Sequence, residues 1–197
     1  MPNFYLIAGP NGAGKTTFAR EWLPKRMAWE NFLNADIIAA EMCPENPESV
    51  AIPAGRLMLE QMAQCEAAGV DFATETTLAG LSYVRIINRL RAKGYDTHLA
   101  FVWVREVELS IARVAHRVRQ GGHNIPEVVI RRRFKAGLRN LFQVYRPLLA
   151  SWQLYDNAED ETVFVAEEIS GELTIYEPLL YQEIMARVEE KDEDAFH

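Results

Sequence analysis

A short apolar run, Phe4-Tyr5-Leu6-Ile7-Ala8, breaks into Gly9-Pro10-Asn11-Gly12-Ala13-Gly14-Lys15-Thr16. No other stretch constrains the fold as strongly. The apolar run, bounded by turn residues, predicts a buried strand. The glycines let successive backbone N–H groups converge on an anion without Cβ clashes. A helix is predicted over Lys15–Trp22, stopped before Pro24, and its N-terminal end adds positive potential. Strand, loop and helix match the phosphate-binding P-loop pattern in full. Gly9, Pro10, Asn11, Gly12, Ala13 and Gly14 form the cradle for ATP or GTP. Lys15 is placed for the β- and γ-phosphates, the Thr16 hydroxyl for Mg²⁺ and Thr17 for the α-phosphate.

The rest of the chain alternates strands and helices. Asn31–Asn34 reads as a second short strand and Val70–Glu75 as a third, with a helix over Ala54–Ala68 between them, stopped by Gly69. Ser82 opens a helix that ends at Gly94. Thr97–Val104 is nearly all apolar, which suits a central parallel strand covered on both faces. Helices are expected from Val107 to Ala150, a fifth strand at Leu154–Asn157, a hairpin from Thr162–Glu168 and Glu172–Tyr176, and a final helix fraying at Glu189-Glu190-Lys191-Asp192. This order predicts one domain over residues 1–197: a three-layer α/β fold with a mainly parallel five-stranded sheet and a C-terminal hairpin and helix. Ligands in such folds bind at the carboxyl ends of the strands.

Charge narrows the partners. The chain of 197 residues has a net charge of −7, which argues against a nucleic-acid ligand. Residues 105–146 nevertheless carry ten basic and three acidic side chains, whereas residues 156–197 carry two and fourteen. The basic segment suggests a local anion site, and a solvated basic helical face accounts for the charge equally. No apolar run is long enough for a membrane span and the N-terminus lacks signal-peptide character, so a cytoplasmic protein is expected. Cys43 and Cys65 form no disulfide or zinc framework and read as small apolar fillers. His98 and His116 read as structural or surface residues.

P-loop chains divide into switches, motors and kinases. There is no Asn-Lys-x-Asp guanine-reading motif, and the strand ending at Val104 runs into Arg105 rather than Asp-Glu. A small-molecule kinase remains. Such an enzyme needs a base for the attacking hydroxyl. Asp36, after Asn34-Ala35, stands at a strand end where it can serve as that base or cap the next helix. Glu75 and Thr77 end the third strand, away from the P-loop, where they can meet substrate hydroxyls or a Mg²⁺ water, or satisfy a turn. Arg113 and Arg117 share a helix face. Arg119 follows, then Gly121-Gly122-His123-Asn124-Ile125-Pro126, a break between two helices. On the second helix Phe134, Leu138, Leu141 and Tyr145 form a buried stripe, with Arg132 and Arg139 opposite. Arg131, Arg132 and Arg133 cannot all face one site, because consecutive positions diverge by about 100°. The whole reads as an arginine-rich lid that excludes water and spreads transition-state charge.

The chain resembles the zeta toxin family of P-loop kinases in its short, stand-alone bacterial form. The resemblance is carried by the P-loop with Thr17, by Asn34-Ala35-Asp36, by Phe72-Ala73-Thr74-Glu75-Thr76-Thr77-Leu78-Ala79-Gly80, by residues 117–126, by Arg131-Arg132-Arg133-Phe134 and by Tyr155-Asp156-Asn157. It implies transfer of phosphate from ATP or GTP to a sugar hydroxyl of a nucleotide-activated sugar such as UDP-N-acetylglucosamine, and an antitoxin partner. It further implies Asp36 as general base, Glu75 and Thr77 as substrate contacts, and Arg113 as the first lid arginine. The second lid arginine of the toxins falls near His123, with Arg117, Arg119 or Arg131 as possible replacements. Another small acceptor, or a nucleotide-binding module with no acceptor, is the competing reading.

Overall fold

The computed structural model describes residues 1–122 and 124–189. His123 and the fraying end expected beyond Glu189 lie outside the described residues. Seven strands form one sheet in the order β2-β3-β1-β4-β5-β6-β7. They are β1 (Asn3–Ala8), β2 (Phe32–Leu33), β3 (Phe72–Thr76), β4 (Asp96–Trp103), β5 (Ser151–Asp156), β6 (Val163–Ile169) and β7 (Glu172–Ile175). β1 to β5 run parallel, and β1 is hydrogen-bonded to β3 on one side and β4 on the other. The C-terminal hairpin does not stand apart. β6 pairs antiparallel with β5, extending five strands to seven.

Helices α1 (Lys15–Trp22), α2 (Ala35–Met42), α3 (Ala51–Ala68), α4 (Ser82–Ala92), α5 (Val107–Arg119), α6 (Glu127–Asn140) and α7 (Pro178–Glu189) cover both faces. Strand alternation sorts the core into two layers. Phe4, Leu6, Leu99, Phe101, Trp103, Trp152 and Leu154 meet α3, α4 and α7 through Met62, Ile87, Leu90 and Ile184. Tyr5, Ile7, Ala100, Val102 and Val104 meet α1 through Ala19 and Trp22. Helix α6 belongs to both layers. Its Phe134 packs in the second and its Leu138 in the first, so it crosses the carboxyl edge of the sheet. The stripe predicted on it is buried through Leu141 and Tyr145, although those two sit on a π-helical turn, Leu141–Tyr145, rather than on the α-helix itself.

Boundaries moved where local packing overrode the pattern. α3 starts three residues early, with Pro53 tolerated in its first turn. β5 starts at Ser151 because it pairs with β4 from His98 onward. Gly69 ends α3 in the left-handed conformation its position predicts. His98 is structural: its ring nitrogens face Ser151 Oγ at 2.8 Å and Asn3 Oδ1 at 3.1 Å.

Candidate active site

The carboxyl ends of β1 to β5 bring the sequence-predicted residues to one edge. The loop after β1 is built by close approach. Gly9 has φ of 139° and lies against the Val102 carbonyl of β4, where no side chain fits. Gly14, with φ of 85°, leaves space filled by the Asn157 side chain, whose amide would stand 2.5 Å from an added Cβ. No side chain caps α1, so its first N–H groups remain open to an anion. Lys15 is 8% exposed, and its ammonium donates to Pro10 O at 3.0 Å. Burial pushes its pKa below the ordinary lysine value. Glu75 and Asp36 oppose that shift, and the positive charges of Arg117 and Arg133 reinforce it. Two carboxylates and two guanidiniums thus lie within electrostatic reach of the P-loop lysine.

Glu75 is nearer the P-loop than its place in the sequence implies. β3 is the neighbour of β1, with Ile7 opposite Glu75. The Thr16 hydroxyl donates to Glu75 Oε2 at 2.8 Å. The expectation that Glu75 sits away from the P-loop is thus corrected by strand order. A hydroxyl and a carboxylate at this spacing are hard oxygen donors of the kind Mg²⁺ takes alongside water and phosphate oxygens. The residues present fit that ion.

Asp36 lies in the first turn of α2, but the cap is Asn34, whose Oδ1 accepts from the N–H groups of Asp36 at 2.8 Å and Ile37 at 3.3 Å. Asp36 is therefore not needed for capping. It lines a cavity of about 390 Å³ together with Glu45, Glu48, Arg117, Gly121 and Gly122. Gly121 and Gly122, which follow α5, form part of its wall. Gly122 packs on the Arg117 stem, and Asn124 N–H donates to Glu48 Oε1 at 3.3 Å. A second hollow, of about 430 Å³, lies between α3 and α4 and is lined by Glu66 with its partners Arg89 and Lys93 beside apolar side chains.

The arginines divide differently from the sequence reading. Arg113 donates to Asn157 O at 2.8 Å and Ala158 O at 3.1 Å, which makes it a tie for the β5–β6 loop. Arg119 is exposed at the end of α5 and does not line the cavity. Arg131 pairs with Glu108 and Glu127 on the surface, and Arg132 is exposed. Thr77 is half-buried, with its carbonyl pressed on Gly137 of α6. Leu78 follows at φ of 57°, fully buried, a strained conformation held by Leu78 N–H to Thr76 Oγ1 and by Asn140 to Leu78 O.

Two residues were missed as site members. Asn157 Nδ2 donates to Ala13 O at 2.8 Å, strapping β5 to the P-loop. Arg133 Nη1 donates to Asn11 Oδ1 at 3.3 Å. In the sequence Asn157 stands out only within Tyr155-Asp156-Asn157, and Arg133 only within the arginine run after Pro126.

The family model for the zeta toxin matches residues 1–169. The chain belongs to the zeta toxin family. An uncharacterized protein of Haemophilus influenzae is 31% identical over 129 residues, covering 66% of this chain and 90% of its own length. Among solved structures, the AvrRxo1-ORF1:AvrRxo1-ORF2 complex with sulphate ions matches at TM-score 0.75 and 21% identity over 98% of this chain. The match spans 66% of that chain, just under two thirds of its length. The PezAT chromosomal toxin–antitoxin system of Streptococcus pneumoniae matches at TM-score 0.63 and 20% identity, over 97% of this chain and 88% of that one. At these identities the solved structures show a shared fold. Among the described residues of this zeta toxin family member, no helix is long and apolar enough to cross a membrane.

Proposed function

We propose that the protein is a phosphotransferase that moves the γ-phosphate of ATP, or of GTP, to a hydroxyl of a small nucleotide-activated sugar resembling UDP-N-acetylglucosamine. The observation that carries this reading is the convergence of Lys15, the Thr16–Glu75 pair and the Asp36–Arg117 cavity at one sheet edge. A structure of the AvrRxo1-ORF1:-ORF2 complex with ATP, similar in fold at TM-score 0.75, supports the nucleotide. Lys15 and the loop from Gly9 to Gly14 hold the β- and γ-phosphates, with Thr17 at the α-phosphate. Thr16 and Glu75 would hold Mg²⁺, which would supply neutralisation of phosphate charge. Asp36 takes the proton of the acceptor hydroxyl, and Arg117 stabilises charge on the transferred group. Thr77 belongs to the acceptor side. The PezAT match motivates an antitoxin partner.

A second acceptor class has an observation of its own. Among the described residues, Asp36, Glu45 and Glu48 give the cavity three carboxylates against the Arg117 guanidinium. That balance favours a hydroxyl compound with fewer negative charges than a nucleotide diphosphate, such as a small alcohol. One experiment separates the readings. Wild type and Asp36→Asn are incubated with ATP, Mg²⁺ and UDP-N-acetylglucosamine, then with other nucleotide sugars and small alcohols, and mass spectrometry seeks a gain of one phosphate. The Asn variant should bind ATP normally and transfer phosphate about 10²- to 10⁴-fold more slowly. Near-normal transfer removes Asp36 as the base. Transfer by the wild type to alcohols and to no nucleotide sugar selects the second class.

A further inference from the structure

We propose that Arg133 is a catalytic arginine of this protein, reaching the transferred phosphate from α6; the proposal rests on the kinase reading above. Arg133, Gly137 and Asn140 fall at i, i+4 and i+7 and share one helix face. That face is docked on the catalytic edge at three points. Arg133 Nη1 donates to Asn11 Oδ1 at 3.3 Å, Gly137 packs against the Thr77 carbonyl oxygen, and Asn140 Nδ2 donates to Leu78 O at 2.9 Å. Phe134 and Leu138 fix the helix from both core layers.

The position suits the chemistry. Asn11 stands next to Pro10, whose carbonyl holds the Lys15 ammonium, so Arg133 and Lys15 approach the same part of the cradle. Lys15 serves the β- and γ-phosphates. A guanidinium beside it meets the oxygens on which charge spreads as the γ-phosphoryl group transfers. Of the other arginines, Arg113 is engaged on two backbone carbonyls and Arg131 on Glu108 and Glu127, while Arg117 lines the acceptor cavity on the other side of the site. Arg133 also differs from a lid residue, since its helix is anchored in the core and needs no loop closure to deliver the charge.

The test uses a transition-state mimic and needs no known acceptor. Wild type, Arg133→Gln, Arg133→Lys and the exposed control Arg132→Gln are titrated with ADP and Mg²⁺, with and without aluminium fluoride. Wild type and Arg132→Gln should bind more tightly with fluoride present. Arg133→Gln should bind ADP within about threefold of wild type and lose on the order of 10²-fold or more in the tightening. Arg133→Lys should recover part of it, because lysine keeps the charge without the fork. Full tightening in Arg133→Gln overturns the proposal. An equal loss for ADP alone also overturns it, since Arg133 then only braces the P-loop. A wild type that binds no nucleotide overturns the kinase reading itself, an outcome distinct from a variant that keeps the tightening.

Discussion

Gly137→Ala sets secondary-structure propensity against tertiary contact. In an isolated helix the change gains about 1 kcal/mol, because alanine restricts the unfolded chain and suits the helix. Here a Cβ on residue 137 would fall well inside 3.0 Å of the Thr77 carbonyl oxygen. The obstacle is backbone at the edge of a packed sheet and cannot swing aside. To restore ordinary contact, α6 and the Thr77 loop must part by about an ångström, an overpacking cost of roughly 1–3 kcal/mol. The upper part of that range applies because the partner is rigid, so the net loss is about 1–2 kcal/mol. A protein of this size then melts about 2–8 °C lower. The same displacement draws Arg133 and Asn140 away from Asn11 and Leu78, so turnover should fall with stability. Gly55→Ala on α3 is the matched control, since nothing lies within 4 Å of its added Cβ. Urea denaturation followed by circular dichroism measures both. Gly55→Ala should raise the midpoint and Gly137→Ala should lower it, at unchanged slope. A higher midpoint for Gly137→Ala refutes the close approach of α6 to the sheet edge.

Three further changes probe other parts of the site. Glu75→Gln keeps a hydrogen-bond partner for Thr16 but loses the charge, so Mg²⁺ affinity in the presence of ATP should drop about ten- to hundredfold; a changed acceptor KM at constant Mg²⁺ dependence would return Glu75 to the acceptor side. Arg113→Met frees the carbonyls of Asn157 and Ala158, so nucleotide affinity should fall more than kcat, and a loss confined to kcat would restore Arg113 as a lid arginine. Burial holds the His98 pKa below its ordinary 6.5, against the opposing pull of Asp96 and Asp71 and with the help of Arg26. A depressed pKa means the unfolded chain takes up the proton first, so this contribution to stability is complete above pH 6.5 and is lost as pH falls through the folded-state value. Urea midpoints across that interval should decline in wild type more steeply than in His98→Gln, and parallel declines would count against the histidine.

The P-loop and the polar residues at the strand ends were legible in the sequence because their signals are local. Gly9 to Thr16 need no distant contact to be read, since strand, glycines, lysine and helix follow one another within sixteen residues. The buried character of Thr97–Val104, the stop at Gly69 and the stripe from Phe134 to Tyr145 follow from periodicity and from the conformations glycine alone adopts freely. Asp36 was legible as a residue at a strand end, though not as free of capping. That depended on Asn34, two residues away, accepting both N–H groups.

Order of strands and direction of helices were not legible in the same way. Alternating strands and helices are compatible with several sheet orders, and only the order with β3 beside β1 brings Glu75 to Thr16 across a separation of 59 positions. The hairpin's attachment to β5 is likewise a pairing between strands whose patterns suit either a separate ribbon or a sheet extension. The arginines show the limit most plainly. Arg113, Arg117, Arg119, Arg131 and Arg133 are alike in charge and close in sequence, and a 100° turn per residue says only that consecutive ones diverge. Which one faces the phosphates depends on where α6 crosses the sheet edge. That crossing is fixed by Phe134 and Leu138 packing in opposite core layers and by the missing side chain at Gly137, contacts made with residues far away in the chain.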